Sequence, residues 1–102
     1  LHQMVGTVRW SPTAEASFRQ VIAYLQTNWS EPEAADFVRR TDAAVLMVCA
    51  FPGMSRKGRK GTREVLVTKH NVMCFRVEAD ELQIVGFWDA RQHPRRRVIQ
   101  KL

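Results

Sequence analysis

Cysteine is scarce in this chain, and long apolar runs are missing. The two cysteines, Cys49 and Cys74, lie far apart in otherwise apolar stretches. They fit neither a zinc site nor a disulfide framework, so we expect two reduced thiols in the core and no metal. No apolar run approaches the ~20 residues that cross a bilayer, and residues 1–3 lack the basic start of a secretion signal. We therefore expect a cytoplasmic protein with no membrane partner.

A nucleotide-binding loop is missing as well. Gly58 and Gly61 are flanked by cations, but their spacing matches neither a Walker nor a Rossmann pattern, so we expect no cofactor. The 102 residues, 45% apolar and 25% charged, correspond to a single globular domain spanning residues 1–102. Within it, we interpret residues 1–3 as an addition ahead of a native start at Met4, and residues 95–102 as a basic tail.

Positive charge is concentrated in the second half of the chain. Residues 1–50 contain no lysine and have a net charge of −1, whereas residues 51–102 have a net charge of +7. The cations of the second half form one cluster at 56–63 and another at 91–101. Such a concentration attracts polyanions, either nucleic acid or an acidic protein segment.

The first half of the sequence predicts one strand and two helices. Residues 4–10 alternate weakly and suit a strand. Ser11 and Pro12 are typical of a helix start, and apolar residues follow at helical spacing, at 14, 18, 21, 22, 25 and 29. Ser30 and Glu33 form a capping box that begins a second helix. This helix runs to about Ala50, with an inward stripe of Ala34, Phe37, Val38, Thr41, Val45 and Val48.

The second half predicts three strands. Pro52 and Gly53 end the second helix, and a basic loop follows at 55–61. Alternating runs at 63–68, 72–79 and 82–88 then predict an antiparallel meander. The fold class is therefore α+β, in the order strand–helix–helix–strand–strand–strand, with a helical hairpin packed on one face of an antiparallel sheet.

Four short segments together resemble a known family. They are VRWSP at 8–12, FPGM at 51–54, GTRE at 61–64 and FWDARQHP at 87–94. Their order and spacing are similar to the ParE branch of the RelE/ParE toxins, the toxic halves of bacterial type II toxin–antitoxin pairs. The resemblance covers residues 7–94. It implies the same α+β fold, and either of two activities: poisoning of DNA gyrase without chemistry, or ribosome-dependent cleavage of messenger RNA.

The nuclease branch implies cations along the sheet that this chain mostly lacks. At the positions where those relatives place strand cations, this sequence has Glu64, Leu66 and Val72. The arginine that follows the last strand does correspond to Arg91, and Arg63 is similar to a catalytic arginine of one sub-branch. If the chain is a nuclease, we expect the catalytic residues to be Arg63, Arg91 and His93. The incomplete set favours a protein that is not an enzyme.

The resemblance also implies partners. A ParD-like antitoxin with an acidic C-terminal segment is expected to pair its carboxylates with Arg63, Arg76 and Arg91. DNA gyrase, with or without its bound DNA, is the expected target. We expect it to be contacted by the mobile cations Arg56, Lys57, Arg59, Lys60, Arg95, Arg96 and Arg97. An exposed apolar groove would also allow a homodimer of the free toxin. The alternatives left open are a messenger RNA endoribonuclease and an inactive homologue that only binds its antitoxin.

Overall fold

The computed structural model describes residues 5–58 and 60–91. Two helices and five strands follow one another in the order β1 (Thr7–Trp10), α1 (Pro12–Asn28), α2 (Glu31–Ala50), β2 (Arg56–Lys57), β3 (Arg63–Leu66), β4 (Asn71–Glu78) and β5 (Glu81–Asp89), with a short 3₁₀ turn at Pro52–Met54 after α2. The predicted additions at 1–3, the basic tail at 95–102, and the site candidates Arg59, His93, Arg95, Arg96 and Arg97 lie outside the described residues.

The strands form one mixed sheet in the order β1-β5-β4-β3-β2. The predicted meander is confirmed, because β3, β4 and β5 pair antiparallel in sequence. The prediction of a wholly antiparallel sheet is wrong at β1, which pairs parallel with β5, Thr7 lying opposite Glu81. The alternation of side chains in a sequence shows which face of a strand is buried. It does not distinguish parallel from antiparallel pairing, because the period is the same in both.

Both predicted helix starts are confirmed by their caps. The Ser11 hydroxyl accepts a hydrogen bond from the Ala14 N–H at 2.9 Å, and the Ser30 hydroxyl accepts one from the Glu33 N–H at 3.2 Å. The inward stripe of α2 is also close to the prediction, since Ala34, Phe37, Thr41, Ala44, Val48 and Cys49 are buried. Neither α1 nor α2, the two helices in the described part of the chain, is long and apolar enough to span a bilayer.

The helices pack on one face of the sheet around a group of aromatic rings. Phe18 and Phe37 from the helices meet Trp10 and Phe87 from the sheet, with ring centroids 5.1–6.1 Å apart. Such separations allow the edge-to-face and tilted contacts that aromatic rings prefer. The core that holds the two layers together is therefore centred on Phe37 and Phe87, both almost fully buried.

A β-bulge in β5 changes which side chains face the helices. Cys74 pairs with Gly86 and Phe75 pairs with Ile84, so Val85 is the extra residue. As a result, Ile84 and Phe87 both belong to the core although they are three residues apart, a spacing that strict alternation does not permit.

Cys74 is buried but lies outside that core, on the opposite face. Both cysteines are free and buried, as predicted, and burial raises the pKa of both thiols.

The basic segment after α2 is a hairpin and not the predicted loop. Lys57 pairs with Arg63, and the Gly58 N–H donates to the Thr62 carbonyl at 2.8 Å. The turn is closed by Lys60 and Gly61, which adopt positive φ angles of 51° and 80°. Glycine enters this region without steric cost. The charge and glycine content of the segment concealed its strand, which is only two residues long.

Replacing Phe37 with alanine tests the packing of the two layers. Because the ring is fully buried, we expect Phe37→Ala to lower the free energy of unfolding by about 3–5 kcal/mol. Urea denaturation followed by circular dichroism measures the change. Leu46→Ala, on the same helix but 72% exposed, is the control and should change it by no more than about 0.5 kcal/mol. Equal effects of the two substitutions would contradict this packing.

Candidate functional site

The end of β5 holds a buried carboxylate that is bound on every side. Asp89 is fully buried, and its carboxylate accepts hydrogen bonds from the Asn71 side chain at 2.8 Å and from the Arg91 backbone N–H at 2.7 Å. The Arg91 guanidinium adds a bidentate contact through Nε at 3.1 Å and Nη2 at 2.9 Å. Bidentate pairs of this kind are among the strongest hydrogen-bonded contacts in proteins.

The remaining sides of the Arg91 guanidinium face the link between the helices. Nη1 lies 3.5 Å from a Glu33 carboxylate oxygen, and that oxygen is buried without a hydrogen bond in the described part of the chain. The Cζ atom of the guanidinium lies 4.4 Å from the centre of the Trp29 ring, a cation–π contact. The Arg91 side chain is consequently only 17% exposed. We call Trp29, Glu33, Asn71, Asp89 and Arg91 the strand-end cluster.

Trp29 does not have the role that its helical spacing predicted. Position 29 continues the helical spacing of apolar residues in α1, but Trp29 is the C-terminal cap residue of the helix, and 53% of its surface is exposed. The chain leaves helical geometry at this position, so the period that predicts the stripe no longer applies. Its contact with Arg91 was not predicted, because the two residues are distant in sequence.

Contacts within the cluster keep Asp89 and Arg91 charged. Burial acts to raise the pKa of Asp89, but the hydrogen bonds from Arg91 and Asn71 outweigh burial and hold that pKa below its ordinary value. The hydrogen bond to Asp89 raises the pKa of Arg91 against the opposing effect of burial. Both groups therefore stay charged, and each compensates the other.

A cavity of about 270 Å³ adjoins the cluster, and its lining carries both signs of charge. The lining consists of Glu33, Asp36, Arg40, Thr68, Lys69, His70, Asn71 and Arg91. Within it, Asp36 pairs with Arg40 at 2.8 Å, and Glu33 pairs with Arg91. His70 is half-buried in the turn between β3 and β4. Arg40 and Arg91 are thus each paired with a carboxylate, and the third cation, Lys69, is exposed, so the interior of the cavity offers no concentrated positive field to a phosphate.

The candidate Arg63 lies elsewhere, at the base of the basic hairpin. Its guanidinium donates to the Ser55 hydroxyl at 2.7 Å, to the Ser55 carbonyl at 2.9 Å and to the Gly53 carbonyl at 3.4 Å. Arg63 pairs with Phe75 on β4, whereas Asp89 pairs with Asn71, four residues away on the same strand. This offset corresponds to about 13 Å along the sheet. The structure does not bring Arg63 and Arg91 together.

The hairpin itself presents the other predicted cations. Lys57 and Lys60 are exposed, and a second cavity of about 570 Å³ lies beside them. Its lining is Pro52, Gly53, Lys57, Gly58, Gly61, Thr62, Arg63 and Val77. Arg76, the remaining antitoxin candidate, is half-buried on β4 between Phe75 and Val77, which face the helices. It therefore lies on the face of the sheet opposite the helices.

The site has no sign of a metal centre in the region that the structure covers. Over residues 5–58 and 60–91, no three His, Cys, Asp or Glu side chains lie close enough to hold an ion. What the described residues provide is a neutralised cluster at one end of the sheet and an exposed cationic hairpin at the other.

Comparison with known proteins identifies the family. Residues 8–94 match the family model described as the ParE toxin of the type II toxin–antitoxin system parDE. The chain belongs to the ParE toxin family. It is accordingly a toxin of a type II toxin–antitoxin system, and the resemblance seen in the sequence is confirmed. A search of curated proteins finds no significant match.

Solved structures confirm the fold of this ParE-family chain. It is similar to the chromosomal ParDE system from P. aeruginosa, with a TM-score of 0.69 at 19% identity over 83% of this chain and 96% of that one. The YoeB/ParE toxin from Agrobacterium tumefaciens is similar with a TM-score of 0.61 at 13% identity, over 82% of this chain and 98% of that one. The E. coli DinJ–YafQ toxin–antitoxin complex is similar with a TM-score of 0.56 at 8% identity, over 83% of this chain and 93% of that one.

Removing the buried carboxylate tests the strand-end cluster. Asp89→Asn leaves Arg91 without its bidentate partner, so we expect the free energy of unfolding at pH 7 to fall by about 3 kcal/mol. Because the folded-state pKa of Asp89 is lowered, its contribution is complete above the unfolded pKa of about 4 and is lost as the pH falls through the folded value. The wild-type protein should therefore lose stability below about pH 4 more steeply than the variant.

Urea denaturation at a series of pH values measures this difference. Asp42→Asn is the matched control, because it removes one carboxylate from α2 at an exposed position. This control should lose stability at acid pH as steeply as the wild type does. Parallel curves for the wild type and Asp89→Asn down to about pH 3 would show that the cluster does not depend on this charge.

Proposed function

We propose that this ParE-family toxin poisons DNA gyrase by binding, without catalysing a reaction, and that an acidic antitoxin neutralises it. The observation that carries this proposal is the state of Arg91. Arg91 stands at the position where the nuclease branch has an arginine after the last strand. Its guanidinium is already bound by Asp89, Glu33 and Trp29.

A nuclease role would require Arg91 to leave these contacts. To stabilise the charge that develops on a phosphate, the guanidinium must present free donors toward it. Turning away from Asp89 would leave a fully buried carboxylate without its counter-charge, at a cost of about 3–5 kcal/mol. That cost would be added to every catalytic cycle. The geometry suits a residue that holds the fold together.

The strands also lack the chemistry that RNA cleavage requires. Where the nuclease branch places cations, this chain has Glu64, the exposed Leu66 and the fully buried Val72. A carboxylate repels phosphate, and the two apolar side chains donate no hydrogen bond. Arg63, the other candidate, donates to Ser55 and Gly53 at the far end of β3. This arrangement supports a toxin that acts by binding.

The basic hairpin is the described surface that best suits the target. Lys57 on β2 and Lys60 in the turn are both exposed, and such long cationic side chains can reach an acidic protein surface or a DNA backbone. Gyrase holding cut DNA offers both. Binding to the DNA itself would weaken steeply with added salt. We place the protein in the cytoplasm, where this target is found.

The antitoxin partner is supported by the similar structures. The P. aeruginosa protein comes from a ParDE system, and the E. coli protein was solved as a toxin–antitoxin complex. We infer that this chain likewise binds a ParD-like antitoxin with an acidic segment. Self-association of the free toxin stays a prediction.

Expression without the antitoxin tests the proposed target. We expect DNA synthesis to stop before protein synthesis, because trapped gyrase blocks replication. Labelled thymidine and labelled methionine, followed in parallel after induction, give the order. An early stop in protein synthesis, with messenger RNA cut inside ribosome-bound codons, would contradict the proposal. Unaffected growth despite soluble, folded protein would indicate an inactive homologue.

A pair of charge-reversal variants tests the hairpin. Lys57→Glu with Lys60→Glu should abolish the arrest of DNA synthesis, because it places two carboxylates on the contact surface. Arg19→Glu with Lys69→Glu is the matched control: it makes the same change in net charge at exposed positions on α1 and in the turn before β4. If the two double variants are equally toxic, the target contact lies outside the hairpin.

A further inference from the structure

Large apolar side chains are exposed together where α2 ends. Leu46 is 72% exposed, Met47 41%, Phe51 46% and Met54 73%. These four residues lie within nine consecutive positions, from the end of α2 to the end of the 3₁₀ turn that follows. We call them the Met54 patch. Exposed apolar residues scattered singly need no explanation, but four of them so close together in the sequence make this segment a candidate binding surface.

The Met54 patch adjoins the cavity of the basic hairpin. Pro52 and Gly53, in the same turn as Met54, form one wall of that cavity, and Lys57 and Arg63 line it as well. The Arg63 guanidinium donates to the Gly53 carbonyl at 3.4 Å, which joins the turn to β3. An apolar surface and a cationic groove therefore lie side by side on one connected piece of backbone.

We propose that the Met54 patch and the adjoining hairpin groove are the docking site for an acidic amphipathic segment of the antitoxin. This inference rests on the proposed function, and it adds where the partner binds. One stripe of the segment would bury its apolar side chains against Leu46, Met47 and Met54. Methionine is well suited to this because its unbranched chain adapts to the shape of a partner. The carboxylates of the segment would meet Lys57 in the lining of the groove and Lys60 in the adjoining turn.

Charge distinguishes this occupant from a second copy of the toxin. A symmetric dimer through the patch would bring the same surface of both copies together. Lys57 and Lys60 of each copy would then lie near those of the other, and the chain already carries a net charge of +6. Like charges at an interface cost affinity. An acidic segment neutralises the same residues, so the surface suits it better.

The location also explains how the antitoxin would act. Lys57 and Lys60 are the cations that we assign to the target contact, and a segment bound along the groove covers them. Neutralisation would follow from occlusion of the hairpin, with no change in the fold of the toxin. The two partners would then compete for one surface.

Binding measurements with patch variants test this location. The probe is the antitoxin defined by function, the protein that restores growth when it is co-expressed with the toxin, titrated into purified toxin by calorimetry. We expect Leu46→Ser with Met54→Ser to weaken binding by about tenfold or more, as the loss of interface anchors does. Both positions are more than 70% exposed, so the fold should be kept, and circular dichroism confirms this.

The matched control is a third exposed apolar residue outside the patch. Leu66 is 52% exposed and lies toward the other end of β3, opposite Val72. Leu66→Ser should leave the dissociation constant within about twofold of the wild type. Lys57→Glu should weaken binding of the antitoxin at low salt, and the difference from the wild type should shrink as salt is added.

The other outcomes are distinguishable. If the patch variants bind the antitoxin as tightly as the wild type does, the docking site is elsewhere and the inference is overturned, while the proposed function stands. If the patch variants lose only self-association in sedimentation, the patch binds a second copy of the toxin and the inference is overturned. If they lose only binding to purified gyrase, the patch binds the target and the inference is likewise overturned. If the wild-type toxin binds no protein that restores growth, the antitoxin part of the proposed function fails first.

Discussion

The buried ion pair between Asp89 and Arg91 is the constraint on which this structure depends. Asp89 is fully buried at the end of the last strand, and a carboxylate in that position requires a counter-charge. Arg91 supplies it and at the same time contacts Trp29 and Glu33 at the link between the helices. One arginine thus joins the end of the sheet to the turn of the helical hairpin. These contacts support the proposal that Arg91 holds the fold together and takes no part in catalysis.

The two ends of the sheet consequently have different roles. At the Arg91 end, charges of both signs are paired and partly buried, and they stabilise the fold. At the hairpin end, Lys57, Lys60 and the Met54 patch are exposed, so this end offers a partner both cations and apolar surface. A scaffold held rigid at one end can present a binding surface at the other. This division is consistent with a ParE-family toxin that acts through contacts, and it does not require an active site.

The local features were predictable from the sequence, and the long-range ones were not. The caps at Ser11 and Ser30 and the buried stripe around Phe37 follow from rules that act within a few residues. The parallel pairing of β1 and the bulge at Val85 depend on partners far along the chain. The same holds for Arg91: the motif that contains it was recognised, but its contacts with Asp89 and Trp29 decide its role. Spacing alone does not show whether an arginine is free or engaged.

The most direct test of this account is a cleavage assay with two purified targets side by side. The toxin is incubated with gyrase, ATP and supercoiled plasmid, and separately with ribosomes translating a messenger RNA. Denaturation and protease digestion then reveal any DNA trapped in its cut state. The account predicts linear DNA that accumulates with toxin concentration, together with intact messenger RNA. Cleaved messenger RNA with no trapped DNA would contradict it, because Arg91 would then be able to leave Asp89 and take part in catalysis.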